Sequence, residues 1–186
     1  MADPEQSEAD RAIDEVRVAV RSVPTSVLDD VAAMLAGANK VAAYAGGREG
    51  LVMRGLVMRL FHAGVAASYV GEMTVPHLGE GDVVVLSCGP GNISMVQAIA
   101  GVAKAAGAKI IYFTAEPDQP PADLADEVVV IEAQTMARDT GSLAVLPMGS
   151  GYEIALFVMV DLLTNRVRAA RHESAEVMRA RHTNLE

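Results

Sequence analysis

The chain has 186 residues, of which 51% are hydrophobic, and 24 acidic against 15 basic residues give it a formal net charge of −9. This composition supplies a core and excludes global disorder, and the scattered Lys and Arg residues exclude a nucleic-acid-binding surface. No uncharged apolar run reaches the roughly 18–20 residues of a membrane span. The acidic N-terminus does not match a secretory signal, and the single Cys88 excludes an intrachain disulfide, so we expect a cytoplasmic protein.

The first forty residues predict a leader and two helices. Residues 1–8 are polar and acidic, and we expect a flexible leader there, followed by a single domain over residues 9–186. Apolar residues recur at helical spacing from Ile13 to Val20 and again from Leu28 to Leu35. A break at Pro24 separates the two helices.

Apolar runs rich in β-branched residues then alternate with helical patterns. They predict strands at residues 40–44, 65–70, 82–87, 109–114 and 127–131. The intervening and following helices are predicted at residues 51–62, up to 106, 152–166 and 168–181, with a long connection at 132–147. Continuous β-branched runs suit strands that are covered on both faces. The order predicts an α/β fold: a three-layer αβα sandwich, doubly wound and flavodoxin-like, with a five-stranded parallel sheet and N-terminal helices.

The loop after the first predicted strand has two interpretations. Ligands of open parallel sheets bind beyond the carboxyl ends of the strands, where glycine-rich loops expose backbone N–H groups. Gly46, Gly47 and Arg48 suit a phosphate-binding loop, but a carboxylate such as Glu49 about 4 Å from a phosphate charge costs around 4 kcal/mol at an effective dielectric of 20. The alternative is a tight turn in which Glu49 lies near the positive end of a helix dipole.

The loop after the third predicted strand offers hydroxyl and amide groups. Asn92 either contacts a ligand or caps the next helix. Cys88 fits a small buried apolar residue better than a nucleophile, because no histidine is nearby in the sequence to activate it.

Two carboxylates lie beside predicted turns, Glu72 and Glu153. Glu153 opens the most apolar helix, where partial burial would raise its pKa into the range of a general base. The alternative is a simple interaction with its own helix dipole. No two histidines have the spacing of metal ligands, so we expect no metal site.

Six short motifs, taken in order, resemble the sugar isomerase (SIS) domain family, and most closely its 6-phospho-3-hexuloisomerase branch. The resemblance spans about residues 9–186. It is carried by Gly47-Arg48-x-Gly50-Leu51, Met58-Arg59-Leu60-x-His62-x-Gly64, Val70-Gly71-Glu72-x-Thr74-x-Pro76, Gly81-Asp82, Pro147-Met148-Gly149-Ser150-x-x-Glu153 and Arg181-His182-x-Asn184-Leu185-Glu186. The last two motifs are the most specific.

The resemblance implies an isomerase without a cofactor, which moves a carbonyl along a sugar or sugar phosphate through a cis-enediol. Glu153 would be the catalytic base, and His182 would help to open the sugar ring or shuttle protons. Arg48, Glu72 and Thr74 would line the sugar pocket. The resemblance also implies a homotetramer with active sites between subunits.

The chain departs from the family at its phosphate-binding positions. Where the family usually reads Gly-Arg-Ser-Gly, this chain has Glu49 at the serine. Where the family usually reads Ser-Gly-Ser-Gly-Glu-Thr, Cys88 and Pro90 replace the serines, Asn92 the glutamate and Ile93 the threonine. The residues expected to bind substrate are Gly47, Arg48, Glu49, Glu72, Thr74, Ser87, Cys88, Gly89 and Asn92. We therefore expect an isomerase with an altered substrate. Two alternatives stay open: the standard reaction from 6-phospho-3-hexulose to fructose 6-phosphate, with the phosphate held by backbone N–H groups and Arg48, and a noncatalytic carbohydrate-binding or regulatory module.

Overall fold

A computed structural model describes residues 6–139 and 144–185. The helices are α1 (Glu8–Arg21), α2 (Thr25–Gly37), α3 (Glu49–His62), α4 (Ser94–Ala105), α5 (Ser150–Ala170) and α6 (Ala175–Ala180). The strands are β1 (Val41–Ala45), β2 (Ala67–Tyr69), β3 (Val83–Ser87), β4 (Lys109–Thr114) and β5 (Glu127–Val130). Short 3-10 turns lie at Ala122–Leu124 and Met136–Arg138.

The five strands form one parallel sheet in the order β2-β1-β3-β4-β5. This confirms the predicted doubly wound α/β sandwich. The order reverses between β1 and β3, and their register pairs Ala45 with Ser87 at the carboxyl ends. The loops that leave these two strands are therefore neighbours at the point where such sheets bind ligands.

Both faces of the sheet are buried, which explains the continuous apolar strand sequences. Every residue of β3 is buried, and its alternate side chains enter two separate clusters. One cluster includes Val85 and packs under α1, α2, α3 and α5; the other includes Leu86 and packs under α4. Each aliphatic side chain buried in this way stabilises the fold by roughly 1.5–3 kcal/mol.

The ends of the chain differ from the predicted elements. The first helix starts at Glu8, where the Ser7 side chain accepts the Asp10 N–H, and residues 1–5 of the predicted leader lie outside the described residues. Helix α5 spans Ser150–Ala170, so the predicted boundary near residue 167 was wrong.

Tertiary contacts explain why α5 continues past the change from apolar to charged sequence. Val167 is fully buried in the core, and the Arg171 guanidinium donates to the carbonyls of Ala36 and Gly64. The predicted last helix, residues 168–181, is reduced to α6, after a turn in which His172 has a φ of 55°. Among the described residues, no helix is long and apolar enough to cross a membrane.

Candidate active site

A cavity of about 440 Å³ lies beyond the carboxyl ends of β1 and β3. It is lined by Gly46, Gly47, Arg48, Glu49, Gly89, Pro90, Ile93, Thr135, Met136, Met148, Gly149, Tyr152 and Glu153. Five of the predicted site residues meet here: Gly47, Arg48, Glu49, Gly89 and Glu153. Helices α3 and α5 both begin at the cavity, and neither has a side-chain cap on its first N–H groups. Their dipoles place partial positive charge at the cavity, and an acidic side chain already stands in the first turn of each helix, Glu49 in α3 and Glu153 in α5.

Glu153 lies on the first turn of α5, with its side chain 17% exposed. Burial raises the pKa of this carboxyl above its ordinary value, and the nearby Arg48 charge acts in the opposite direction. Glu153 Oε2 is buried and accepts no hydrogen bond from the described residues, although it lies 3.0 Å from Arg48 Nη1. The contact is an ion pair without hydrogen-bond geometry.

Arg48 connects the β1 loop to the start of α5. Its Nη1 lies 3.0 Å from Glu153 Oε2 and donates to Ser150 Oγ at 3.0 Å. Arg48 therefore pairs with Glu153 rather than with its neighbour Glu49. The side chain is 65% exposed, so its tip remains accessible from the cavity mouth. Gly47 precedes it with a φ of 57°, a backbone conformation that glycine adopts without a Cβ penalty.

Glu49 is turned inward and is only 8% exposed. Its Oε2 accepts the Ser87 hydroxyl at 2.5 Å, and the Gly89 N–H lies 3.0 Å from Oε1 and 3.1 Å from Oε2. Ser87 Oγ also lies 3.1 Å from the hydroxyl of the buried Tyr152. Burial raises the pKa of Glu49, and the bonds from Ser87 and Gly89 partly offset this effect. Glu49 thus joins the first and third loops through buried hydrogen bonds.

The other predicted residues of the third loop do not line the cavity. Cys88 is fully buried, and burial raises the pKa of its thiol to about 11, as expected for a packed, unreactive cysteine. Asn92 is exposed, and the N-cap position of α4 is held by Ile93, with no side-chain capping bond. The helix-capping alternative for Asn92 is therefore wrong.

Glu72 and Thr74 lie on an exposed turn after β2, outside this cavity. Glu72 Oε2 accepts the Tyr69 N–H at 3.3 Å, which is a local contact within that turn. The structure of the single chain thus separates these two residues from Arg48 and Glu153. Their assignment to the sugar pocket stays a prediction.

His182 lies in a different hollow from Glu153. Its ring centroid is 5.2 Å from that of the buried His62, and the hollow is lined by Arg59, His62, Ala175, Met178, Arg179 and His182. The Arg181 guanidinium fixes this end of the chain by donating to the His62 carbonyl and to Glu173. His182 therefore does not meet Glu153 within one chain.

Several cavity residues were absent from the predicted set. Tyr152, Thr135, Met136 and Met148 line the wall, Tyr152 also contacts Ser87, and Ser150 lies behind the lining in contact with Arg48. Ser150 and Met148 do belong to the motif that ends at Glu153, so that motif was their signal in the sequence. Met148 also has a φ of 57°, a strained conformation that often marks functional sites.

Larger hollows elsewhere are less suited to sugar chemistry. One of about 560 Å³ lies between α1 and the segment after β5. There the Glu15 carboxylate already accepts hydrogen bonds from the N–H groups of Val145 and Leu146. Another, of about 450 Å³, runs along α4 and is almost wholly apolar. Among residues 6–139 and 144–185, no group of three or more His, Cys, Asp or Glu side chains could hold a metal ion.

Comparisons with known proteins define the class. A crystal structure of a hypothetical protein from Methanococcus jannaschii, for which a 3-hexulose-6-phosphate isomerase function was inferred, matches with a TM-score of 0.82. The match covers 96% of this chain and 99% of that chain at 24% identity, and it shows the SIS sugar isomerase fold. No protein-family profile matches the chain.

Sequence relatives then identify the family. The 3-hexulose-6-phosphate isomerase of Mycobacterium gastri is 34% identical over 173 residues, covering 93% of this chain and 87% of the relative. The enzyme of the same name from Methylomonas aminofaciens is 31% identical over 161 residues, covering 85% of this chain and 87% of the relative. The chain belongs to the 3-hexulose-6-phosphate isomerase family, which confirms the resemblance and the isomerase class.

Proposed function

We propose that this chain moves a carbonyl group along a hexulose through a cis-enediol, with Glu153 as the base. Glu153 takes a proton from the carbon next to the carbonyl while the carbonyl oxygen gains one. The resulting enediol is neutral overall, and returning the carbon-bound proton to the neighbouring carbon, with loss of the other hydroxyl proton, shifts the carbonyl. No electron acceptor is needed, because one carbon is oxidised as its neighbour is reduced.

The difference between the two cavity carboxylates carries this assignment. Glu49 accepts hydrogen bonds from Ser87 and Gly89, whereas Glu153 Oε2 accepts none from the described residues. A base must have a vacant lone pair and a pKa close enough to the working pH to take a proton from carbon. Burial raises the pKa of Glu153 above its ordinary value, and its side chain remains 17% exposed, whereas both oxygens of Glu49 already accept hydrogen bonds.

Arg48 has a supporting role in the proposed reaction. Its guanidinium favours the ionised form of Glu153, and because Arg48 lines the cavity it can stabilise negative charge that develops on an enediol oxygen. The uncapped start of α5 adds partial positive charge on the same side.

His182 enters the active site only in an assembled protein. Large exposed apolar side chains lie on the outer faces of α3 and α5, namely Leu51, Met58, Phe61, Ile154, Phe157, Val158 and Leu162. Such a face favours burial against a second copy, and a homotetramer would bring His182 of one copy toward the cavity of another. The cytoplasm is the proposed compartment, since the single Cys88 is a free thiol that cannot form a disulfide within the chain.

One observation favours a noncatalytic binding or regulatory module as the second candidate. The Glu49 carboxylate accepts the Gly89 N–H, a loop donor that would otherwise be available to a ligand. Loss of such a donor is what we expect of a site that no longer catalyses its original reaction. The two candidates differ in one result, because a binding module would take up sugar without exchanging any carbon-bound proton.

The test compares conversion of 3-hexulose 6-phosphate and of unphosphorylated 3-hexulose by the wild type, Glu153→Gln, His182→Asn and the control Glu80→Gln. Glu80 is exposed in the turn before β3, at the sheet edge opposite the cavity. We expect Glu153→Gln to reduce turnover by about 10²–10⁴-fold, the usual contribution of a general base. His182→Asn should also reduce turnover, and Glu80→Gln should not. Full activity of a folded Glu153→Gln protein would remove Glu153 from the base role.

A further inference from the structure

The inward carboxylate of Glu49 occupies the place of a ligand. It is buried at the start of α3 and receives the Ser87 hydroxyl and the Gly89 N–H, two donors at the carboxyl end of β3. Donors that converge on a carboxylate in this way can also bind another anion. Here the chain supplies the anion itself.

The rest of the loop has no backbone donor left for a second anion. Cys88 N–H donates to the Phe113 carbonyl at 3.0 Å, and Gly91 N–H donates to the Cys88 carbonyl at 2.9 Å. Pro90 has no N–H at all, and Gly89 N–H is bonded to Glu49. From Cys88 to Gly91, every backbone N–H is therefore used or absent.

The cationic side chain of the cavity is engaged as well. Arg48 pairs with Glu153 and donates to Ser150, so a phosphate at the loop would meet two carboxylates and one shared guanidinium. The wall beside Glu49 includes the apolar side chains of Pro90 and Ile93. Neither residue compensates a negative charge.

We infer that Glu49 replaces substrate phosphate at this loop, and that the sugar bound here has an uncharged, hydroxyl-bearing end. The inference rests on the proposed isomerase function for the reacting end of the sugar. Glu49 Oε1 accepts one backbone bond, from Gly89, and a carboxylate oxygen can accept a second bond from a sugar hydroxyl. The hydroxyl of a hydroxymethyl group can donate to Glu49 Oε1, whereas a phosphate dianion and the Glu49 carboxylate repel each other.

The experiment uses the full chain and three variants: Glu49→Ser, which frees the loop donors; Glu49→Gln, which keeps the shape without the charge; and the control Glu80→Ser. Circular dichroism checks the fold of each. Proton NMR in D₂O follows exchange next to the carbonyl of fructose and of fructose 6-phosphate. In parallel, calorimetry with inorganic phosphate, against chloride at equal ionic strength, measures anion binding without activity.

We expect the wild type to exchange fructose at least tenfold faster than its 6-phosphate and to bind no inorganic phosphate. Glu49→Ser should lower that ratio at least tenfold and bind phosphate, with Glu49→Gln intermediate and Glu80→Ser unchanged. A wild type that prefers the 6-phosphate, or that binds phosphate as tightly as Glu49→Ser, overturns the inference. Absence of exchange in every protein would refute the isomerase proposal alone, because the phosphate titration still decides the role of Glu49.

Discussion

Replacing Arg48 by Met should move the pH dependence of the reaction upward. Glu153 acts as a base only when ionised, so activity falls as the pH decreases through its pKa. Burial already raises that pKa, and the Arg48 charge holds it down. Removing the guanidinium while keeping an unbranched side chain therefore raises the pKa of Glu153 further.

The size of the change follows from the distance between the two groups. At 3.0 Å, Coulomb attraction is about 5.5 kcal/mol at an effective dielectric of 20 and about 1.4 kcal/mol in bulk water. Arg48 is 65% exposed, so solvent screening places the interaction near the lower figure. About 1.4 kcal/mol corresponds to roughly one pH unit in the midpoint of the acidic limb.

The assay is the pH profile of kcat/KM for the wild type, Arg48→Met and the control Arg166→Met. Arg166 pairs with Asp29 on α2, away from the cavity. We expect the midpoint of the acidic limb to move to higher pH by about one unit in Arg48→Met only. A 13C NMR titration of the Glu153 carboxyl should show the same shift. An acidic limb that stays in place, or moves down, would refute the coupling between Arg48 and Glu153.

Two further predictions concern packing and assembly. Gly89→Ala places a Cβ 2.8 Å from the ring of the buried Tyr152, and should cost about 1–3 kcal/mol in urea unfolding. Gly101→Ala, on α4 with no atom within 4 Å of the new Cβ, should instead stabilise by about 0.5–1 kcal/mol; equal effects would contradict the packing argument. Phe157, 54% exposed on α5, should be buried between copies, so Phe157→Asp should lower the mass measured by light scattering, and an unchanged mass would exclude this face.

The strands and their parallel order could be predicted from the sequence because each buried strand is a continuous apolar run. In β3 and β4 every apolar residue is buried, and the one exposed position of these two strands is Lys109 at the start of β4. The end of α5 could not be predicted, because it depends on Val167 entering the core and on Arg171 bonding to the distant Ala36 and Gly64.

The site could be predicted only as far as local sequence reports it. The glycine-rich loops and Glu153 are visible as motifs, and the β1–β3 register then brings the loops together. The partners of Glu49 are 38 and 40 residues away, and Glu153 pairs with a residue on another element, so no local pattern specifies either contact. The position of His182 depends on the fold of the C-terminal turn against His62.

The most direct test of the central claim is proton NMR in D₂O on the wild type and Glu153→Gln with a panel of free and phosphorylated ketoses. Deuterium enters next to the carbonyl whenever an enediol forms, even without net conversion. We predict incorporation into at least one hexulose by the wild type and none above background by folded Glu153→Gln. Equal incorporation by both proteins, or none by either, would contradict proton transfer at Glu153.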